Sequence, residues 1–577
     1  MKKLIYTLAM LVGLTACDED FMEPKYANEL DQEEALNDPQ VVQGFLLKAY
    51  NALPNGQDSY GGFLDCATQN AVINLPNNQL NKTSAEEWQA LTNPLDNWKN
   101  SYQAIQSINR FIEFGLRADV TFWKGNEQTN AELTKRFEGE AYFLRAYFYF
   151  DLLKRFAGQD ASGELMGVPL ITKQLDANSV PELPRATFRE VLEQIVDDLD
   201  YAVNFLPVKY SGTSEITGQN QLGRATSVAC YTLKSRVMLY AGSELYGLDD
   251  AQDMNVASVR AAGEAFALMG KTLPDVYINA GNSTGFDNYF NNGDSDELIM
   301  RRLGGNNNGI EGANFPPSYF GNGRTNPTQN LVDAFPTADG FPIDHASSSY
   351  DPDFPYANRD PRFYMTVLYN GASFKDQTVN TSVGGKDYPG GAGGAANTEN
   401  STRTGYYLRK WLSTFVDKNP ANNTNAYHYF SVFRKGEVFL NYAEAANEAF
   451  GPNADPYGIG MTAVDAIREV RRRAGIAQPD TYLNMVSTDQ DAMRELIRNE
   501  RRIELCFEGH YFYDLRRWKE DLNEPVEIVT IEIDQFGLPD YAVETLFTPT
   551  YKDYMYFGPM PYFEAIKTPS ITQNTGW

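Results

Sequence analysis

Residues that commonly do nucleophilic, redox or metal chemistry are scarce in this sequence. The 577 residues include three histidines and four cysteines, each isolated from the others: His345, His428, His510, Cys17, Cys66, Cys230 and Cys506. Zinc sites and redox pairs need such residues at short, defined spacings, so neither is predicted. Glycoside hydrolysis needs two carboxylates a set distance apart. Nothing marks one pair out among the 76 acidic residues, so we expect no catalytic residues and a protein that is not an enzyme.

Two short acidic clusters suggest bound calcium as the alternative to a protein without a metal ion. One contains Asp294, Asp296 and Glu297, and the other contains Asp351 and Asp353. Ca²⁺ takes several oxygen ligands, which carboxylates supply. Neither cluster has EF-hand spacing, and solvated acidic turns have the same composition. We expect no metal ligands and no cofactor, with a structural Ca²⁺ as the alternative.

Charged residues of alternating sign are concentrated near the C-terminus, beside Phe507, Phe512 and Trp518. They are Glu500, Arg501, Arg502, Glu504, Glu508, Asp514, Arg516 and Arg517. An acid–base site and a structural network both fit this composition. Because the signs alternate beside large aromatic residues, we favour an ion-pair network that joins helices.

The overall charge bears on the class of partner. With 49 Lys and Arg against 76 Asp and Glu, the net charge is −27. This balance disfavours a surface that neutralises phosphates, so nucleic acid is not an expected partner. A hydrophobic fraction of 42%, with 13% aromatic residues, favours a globular protein with a large core.

Helical periodicity dominates the first 270 residues. Thr187 and Glu190 form a capping box ahead of apolar residues at helical spacing, which predicts an amphipathic helix. Segment 138–156 is apolar on two faces, which predicts a helix packed between neighbours. A third helix is predicted over 226–246, capped by Gly247.

Composition changes between about residues 270 and 430, where Gly, Asn, Pro and Tyr dominate and loops are predicted, for example at 306–309 and 384–396. Short strands are predicted at 298–300 and 526–531. Helices return at 437–450, 462–474 and 489–508, each followed by glycine.

These elements predict a mainly α fold: a tetratricopeptide-like helical scaffold with a large loop-rich insertion and few short strands. We expect one domain over 17–577. It would comprise an N-terminal helical part at 17–270, a loop-rich, ligand-binding insertion at 271–430 and a C-terminal helical part at 431–577.

The N-terminus predicts export and lipid anchoring. Lys2 and Lys3 precede a short apolar run that ends at Ala16, which is typical of a signal peptide over 1–16. The run is shorter than the ~20 residues that span a membrane. Leu14-Thr15-Ala16-Cys17 resembles a bacterial lipobox, so Cys17 is predicted to carry the lipid.

Several long motifs resemble the SusD/RagB family of outer-membrane lipoproteins, in the same order and over essentially the whole chain. They are Glu140–Phe150, Gly167–Leu170, Asn326–Asp333, Arg359–Arg362, Leu440–Ala445, Val470–Gly475 and Asn499–Trp518. One departure is the ending Thr575-Gly576-Trp577, where the family more often has Pro-Gly-Tyr.

The resemblance implies a SusD-like fold and a lipoprotein on the cell surface, anchored in the outer membrane. Such proteins bind oligosaccharide or polysaccharide and deliver it to a partner, a SusC-like TonB-dependent β-barrel transporter. Peptide capture, as in RagB-like relatives, is the alternative from another binding class, and a glycoside hydrolase is the alternative from the enzyme class.

A glycan site needs exposed aromatic rings for the flat C–H faces of sugars and planar polar groups for paired hydroxyls. Trp88 lies in the polar stretch 82–90, and Asp65 and Asn70 lie in an earlier loop. Relatives often use the segment before the helix at Trp98 for ligand contact. The resemblance therefore implies that Trp88 stacks on a sugar while Asp65 and Asn70 bind hydroxyls.

A second candidate is the loop 304–324, in which Tyr319 or Phe320 would form another stacking platform and Arg324 would bind hydroxyls. Loops of this composition before the Asn326 motif often reach the ligand in the family. Tyr407 and Arg409 form a third candidate. Packing in the core remains the alternative for each Tyr, since the chain has 35 of them.

Overall fold

The computed structural model describes residues 36–54, 62–84, 87–175, 183–275, 293, 295–391 and 398–577. The N-terminal helices are α1 (Pro39–Asn51), α2 (Gln79–Thr83), α3 (Trp98–Arg110), α4 (Glu127–Phe156), α5 (Phe188–Ala202), α6 (Ser227–Ala241) and α7 (Ala251–Met269). The middle of the chain has short helices α8 (Gly309–Asn314), α9 (Gln329–Ala334) and α10 (Pro361–Thr366). The C-terminal helices are α11 (Lys435–Phe450), α12 (Ala463–Ala474), α13 (Thr481–Val486), α14 (Gln490–Glu504), α15 (Tyr511–Arg517) and α16 (Tyr562–Lys567).

The strands form separate antiparallel pairs. The pairs are β1 (Ala71–Ile73) with β5 (Thr325–Pro327), β2 (Gly158–Gln159) with β3 (Leu165–Met166), β4 (Leu298–Asn307) with β10 (Ala426–Arg434), β6 (Val367–Leu368) with β9 (Tyr407–Leu408), β7 (Ser373–Phe374) with β8 (Gln377–Thr378), and β11 (Val526–Ile533) with β12 (Pro539–Phe547). The predicted mainly α fold with few short strands is confirmed.

The central helix of the N-terminal part is α4, which packs against α3 and α5. Asn126 caps its first turn by accepting a hydrogen bond from the backbone N–H of Thr129 at 3.1 Å. Apolar residues are buried on all sides of its second half. The prediction of a helix packed between neighbours over 138–156 is therefore confirmed.

The predicted capping signals also form. The Thr187 and Glu190 side chains close a capping box at the start of α5, and Thr462 and Asp465 do the same for α12. Gly475 ends α12 in the left-handed region, with φ of 91°.

Two predicted helix ends are wrong. The helix predicted to reach residue 246 ends at Ala241, where Gly242 caps it. The helix predicted to reach 508 ends at Glu504, because buried Lys410 takes the carbonyl oxygens of Glu504 and Cys506 at 3.0 and 2.9 Å. Those carbonyls would otherwise accept the bonds of a further helical turn.

The loop predicted at 306–309 is also partly wrong. Asn306 and Asn307 are the last residues of β4, opposite Tyr427 and Ala426 of β10. These two residues form a strand despite their loop-like composition, because pairing with a segment about 120 residues away supplies their backbone hydrogen bonds.

The charged C-terminal cluster is a buried ion-pair network. Glu504 accepts hydrogen bonds from Arg434 at 2.7 Å, Arg473 at 2.6 Å and Arg362 at 3.2 Å. Glu500 binds Arg471 at 2.6 Å and Arg362 at 2.9 Å. The structural interpretation of this cluster is confirmed, since these charges join α10, β10, α12 and α14.

Two members of the cluster depart from this pattern: Arg502, which binds the Asn70 side chain and the Asn330 carbonyl, and Arg516. The Arg516 guanidinium lies 3.5 Å from the ring centre of Phe512 and has no carboxylate partner among the described residues. Burial lowers the pKa of Arg516, and the aromatic face compensates part of that cost.

A second buried pair joins α11 to α15. Glu444 accepts hydrogen bonds from Arg517 at 2.7 Å and from the Trp518 indole at 2.6 Å. Although burial opposes ionisation, Arg517 lowers the pKa of Glu444 from about 4.5 to about 2.

Among the described residues, the longest apolar stretches in helices fall short of what a membrane span requires.

Glu444→Gln is expected to lower the free energy of unfolding by about 3 kcal/mol at pH 7, because it leaves buried Arg517 without that carboxylate. A carboxyl with a depressed folded-state pKa contributes stability above its unfolded value and loses it as the pH falls through its folded value. The difference from wild type should therefore shrink as the pH falls from about 4.5 towards 2.

Urea unfolding at a series of pH values measures both effects. Glu448→Gln, one turn further along α11, is the matched control, because its pair with Arg494 is about a quarter exposed. That substitution should cost at most ~1 kcal/mol. An equal loss in both variants would contradict the role assigned to Glu444.

Candidate functional site

The pairing of β1 with β5 creates the base of a candidate binding surface. Ile73 lies opposite Thr325, which places Asn74 beside Arg324. The Asn74 backbone N–H donates to the Arg324 carbonyl at 3.0 Å, and Nη1 of Arg324 donates to Oδ1 of Asn74 at 3.1 Å. Two segments 250 residues apart thus meet in the fold.

The loop between α8 and β5 folds back on itself above this base. Gly323 donates its N–H to the carbonyl of Phe315 at 3.0 Å, and Arg324 donates to that of Ala313 at 2.9 Å. Tyr319 anchors the turn, because its hydroxyl donates to the Phe374 carbonyl at 2.6 Å and its ring packs against Phe374.

Phe320 projects from the tip of this loop. Its side chain is 55% exposed, and its φ of 62° places it in the left-handed region. That conformation costs a bulky residue roughly 1–2 kcal/mol. Neighbours enforce it: Tyr319 is anchored on one side, and a Cβ on Gly321 would lie 2.2 Å from the Phe315 carbonyl oxygen. Strain at an exposed aromatic residue is typical of a functional position.

Arg324 lies half-buried four residues after Phe320 in the same loop. Besides Asn74, its Nη1 donates to the Glu399 carbonyl at 2.6 Å. Among the described residues, its Nε and Nη2 atoms make no hydrogen bond. Burial lowers the pKa of Arg324, which still leaves a charged guanidinium with donors to spare. Exposed Asn322 lies between Phe320 and Arg324, and we call these three residues the Phe320 face.

Tyr407 supports the Phe320 face from below. It is fully buried, and its hydroxyl donates to the Asp387 carbonyl. Gly323 is required above it, because a Cβ there would lie 2.5 Å from the Tyr407 ring. Burial raises the pKa of Tyr407 well above its usual value. Tyr407 therefore holds the loop and does not offer its own surface to solvent.

Arg409 is also tied to the protein. Its Nη1 donates to the Tyr364 carbonyl at 2.6 Å, and its guanidinium lies 5.8 Å from the ring centre of Phe374. Tyr319 and Arg409 both contact Phe374. Tyr407 packs against Gly323, in the loop that carries Phe320 and Arg324. Of the aromatic residues among these candidates, Phe320 is the exposed one.

Asp65 and Asn70 are expected to be exposed, but both side chains are buried. Asn70 donates to Asp65 at 3.0 Å, and Arg502 donates to the Asn70 side-chain oxygen at 2.8 Å. Burial raises the pKa of Asp65. Their polar groups bind each other and α14, so the expected solvent-facing position of this pair is wrong.

Trp88 is 2% exposed, so the expectation of an exposed stacking platform is wrong. Its Nε1 donates to Asn93 at 2.9 Å, and its ring lies edge-on to Trp577 at 5.0 Å and to Phe512 at 6.1 Å. The stretch 82–90 is polar in sequence, but the C-terminal residues fold over its tryptophan. Neither face of the indole is open to a ligand.

The acidic clusters contain no group of three or more metal-ligating side chains in the part of the chain that the structure describes. Asp296 binds Lys209 at 2.9 Å, while Glu297 binds Arg434 at 3.0 Å and Arg473 at 2.8 Å. Asp351 accepts the backbone N–H of Asp353 at 3.0 Å. Asp294 and the predicted lipid site Cys17 lie outside the described residues.

Two residues were missed by the sequence analysis: the exposed Asn322, and Asn74, which is buried and binds Arg324. The available signal was the run Asn74-Leu75-Pro76-Asn77-Asn78, an amide-rich turn directly after a short apolar segment. A β-strand that ends in such a turn is a good place for polar contacts, because loops carry function.

Two models of known protein families match this chain, one in each half. The model of the SusD family matches residues 286–577, and a model described as starch-binding and associating with outer membrane matches residues 20–239. SusD-like protein P38 of Formosa agariphila is 26% identical over 405 residues, 68% of this chain and 67% of that protein. SusD-like protein P25 of the same organism is 26% identical over 462 residues, 78% of this chain and 75% of that protein.

Solved structures agree. A SusD-like protein from Bacteroides fragilis superposes with a TM-score of 0.74 at 26% identity, over 95% of this chain and 99% of that one. A structure named as a laminarin binding SusD-like protein superposes with a TM-score of 0.61 at 20% identity, over 94% of this chain and 100% of that one. The resemblance noted in the motifs is confirmed.

Trp88→Phe is expected to lower the free energy of unfolding by about 1–2 kcal/mol, because it leaves the buried Asn93 oxygen without its indole donor. Trp123→Phe is the control, since Trp123 is more than one-third exposed and should cost less than about 0.5 kcal/mol. Urea unfolding compares the two, and equal stability of Trp88→Phe and wild type would contradict the packing described for Trp88.

Proposed function

Because the chain belongs to the SusD family, we propose that it is a non-catalytic protein that binds oligosaccharide or polysaccharide at the Phe320 face. The observation that carries this proposal is the exposed, conformationally strained Phe320 on the same loop as the spare donors of Arg324. The laminarin binding relative and the starch-binding description of the N-terminal family support the class of ligand.

The chemistry of the Phe320 face suits a sugar. The Phe320 ring would stack on the C–H face of a pyranose, and Asn322 and Arg324 would bind neighbouring hydroxyls. A neutral glycan is not repelled by a net charge of −27. Tyr319 and Tyr407 would act through the loop by holding it in place.

The protein would act at the outer membrane. The description of the N-terminal family supports association with that membrane. In this proposal, Cys17 carries a lipid anchor, the body of the protein is exposed on the cell surface, and the bound glycan passes to a SusC-like TonB-dependent transporter. A protein tethered beside its transporter holds its ligand at a high effective concentration.

Phe320→Gly is expected to weaken glycan binding by about tenfold or more, because the stacking ring is lost. Stability should stay the same or rise by up to about 1 kcal/mol, because glycine adopts positive φ without strain. Calorimetry or affinity electrophoresis against a glycan panel measures the first effect, and thermal unfolding measures the second.

Phe354→Ala is the matched control, since Phe354 is an exposed phenylalanine outside the Phe320 face and should leave affinity unchanged. Wild-type affinity in Phe320→Gly would exclude Phe320 from the site. Release of new reducing ends would favour a hydrolase, and binding of peptides with no response to the glycan panel would favour peptide capture.

Cys17→Ser is expected to move the protein from the membrane fraction to the soluble fraction of a host that processes lipoproteins. The reason is that no thiol remains to carry the lipid. Fractionation with mass spectrometry of the mature N-terminus measures this, and Glu19→Gln is the control. Unchanged membrane association of Cys17→Ser would contradict the proposed anchor.

A further inference from the structure

A polar cavity of about 450 Å³ opens between α1, α3, α4 and β4, and it shares no residue with the Phe320 face. Its walls include Lys48, Asn100, Gln103, Tyr147, Asp151 and Arg302. This volume is within the range of small-molecule sites. We call it the Tyr147 cavity.

Tyr147 contributes a hydroxyl to the wall of this cavity. Its side chain is 6% exposed, and its hydroxyl makes no hydrogen bond to any described residue. Tyr149 on the same helix contrasts with it, because the Tyr149 hydroxyl donates to the Ile171 carbonyl at 2.8 Å. The Tyr147 hydroxyl is therefore available to a ligand oxygen in the cavity, whereas the Tyr149 hydroxyl is not.

Two cations that line this cavity, Arg302 and the exposed Lys48, have no counter-ion among the described residues. Arg302 is half-buried and donates Nη2 to the Asn51 carbonyl at 2.8 Å. Neither Arg302 nor Lys48 has a carboxylate within ion-pair distance in the described part of the chain. Arg302 and Tyr147 line the same cavity.

The carboxylate of this cavity is already neutralised. Asp151 binds Arg155 at 3.0 Å and Lys154 at 3.1 Å, and it accepts a further bond from Asn97 at 3.0 Å. It therefore does not cancel the charge of Arg302 and Lys48. Arg302 and Lys48 thus place positive charge at this cavity, although the chain as a whole has a net charge of −27.

We infer that the Tyr147 cavity binds a compact polyhydroxylated carboxylate of the hexuronate class, at a site separate from the Phe320 face. The ligand carboxylate would bind Arg302 and Lys48, a hydroxyl would accept from Tyr147, and the Asn100 and Gln103 amides would bind the remaining hydroxyls. The inference does not depend on the proposed function of the Phe320 face.

Calorimetry of the full protein with glucuronate, and with glucose as the neutral match, tests this inference. Wild type should bind glucuronate at least tenfold more tightly than glucose. Tyr147→Phe should weaken glucuronate binding about two- to tenfold without lowering the melting temperature, because no internal hydrogen bond is lost. Arg302→Gln should remove the preference for the carboxylate, and Arg302→Lys should retain part of it.

Tyr149→Phe is the matched control, since the same change on the same helix removes a hydroxyl that is committed inside the protein. It should lower the melting temperature and leave glucuronate affinity unchanged. The inference is overturned if glucuronate does not bind, if glucose binds equally well, or if Tyr147→Phe binds like wild type. Loss of glucuronate binding in Phe320→Gly would instead assign the ligand to the Phe320 face, which also overturns it.

Discussion

The buried charges around Glu504 are the interaction on which the rest of the structure depends. Although burial opposes ionisation, Arg473 and Arg434 hold the pKa of Glu504 well below its usual range. Loss of one partner in such a network leaves an uncompensated charge in the interior, which costs about 3–5 kcal/mol. Since its members come from α10, β10, α12 and α14, the loop-rich middle of the chain and the helical scaffold are held in one arrangement.

The same network positions the Phe320 face through a short series of contacts. Lys410 binds Glu508 at 2.8 Å and the carbonyls that end α14, which holds the segment after β9. Tyr407 in β9 packs beneath Gly323, and Gly323 is part of the loop that carries Phe320. A rigid, buried foundation can therefore support a strained backbone at the surface.

Prediction from sequence succeeded where the interacting residues are close together in the sequence and failed where they are far apart. Capping boxes at Thr187 and Thr462 involve residues three apart, so local pattern predicts them reliably. The end of α14 depends on Lys410, and the burial of Trp88 depends on Trp577. No local pattern reports such partners, which is why an expected ligand platform proved to be core.

By itself, the sequence determined the mainly α class, the family, the charged network as a structural feature and the loop that contains Phe320. Composition, helical periodicity and ordered motifs suffice for these features, because each signal comes from residues that are close together in the sequence. Only the tertiary structure decided which aromatic residues are open to solvent and that Asn74 meets Arg324. Exposure is a property of what covers a side chain, and the covering residues here lie hundreds of positions away.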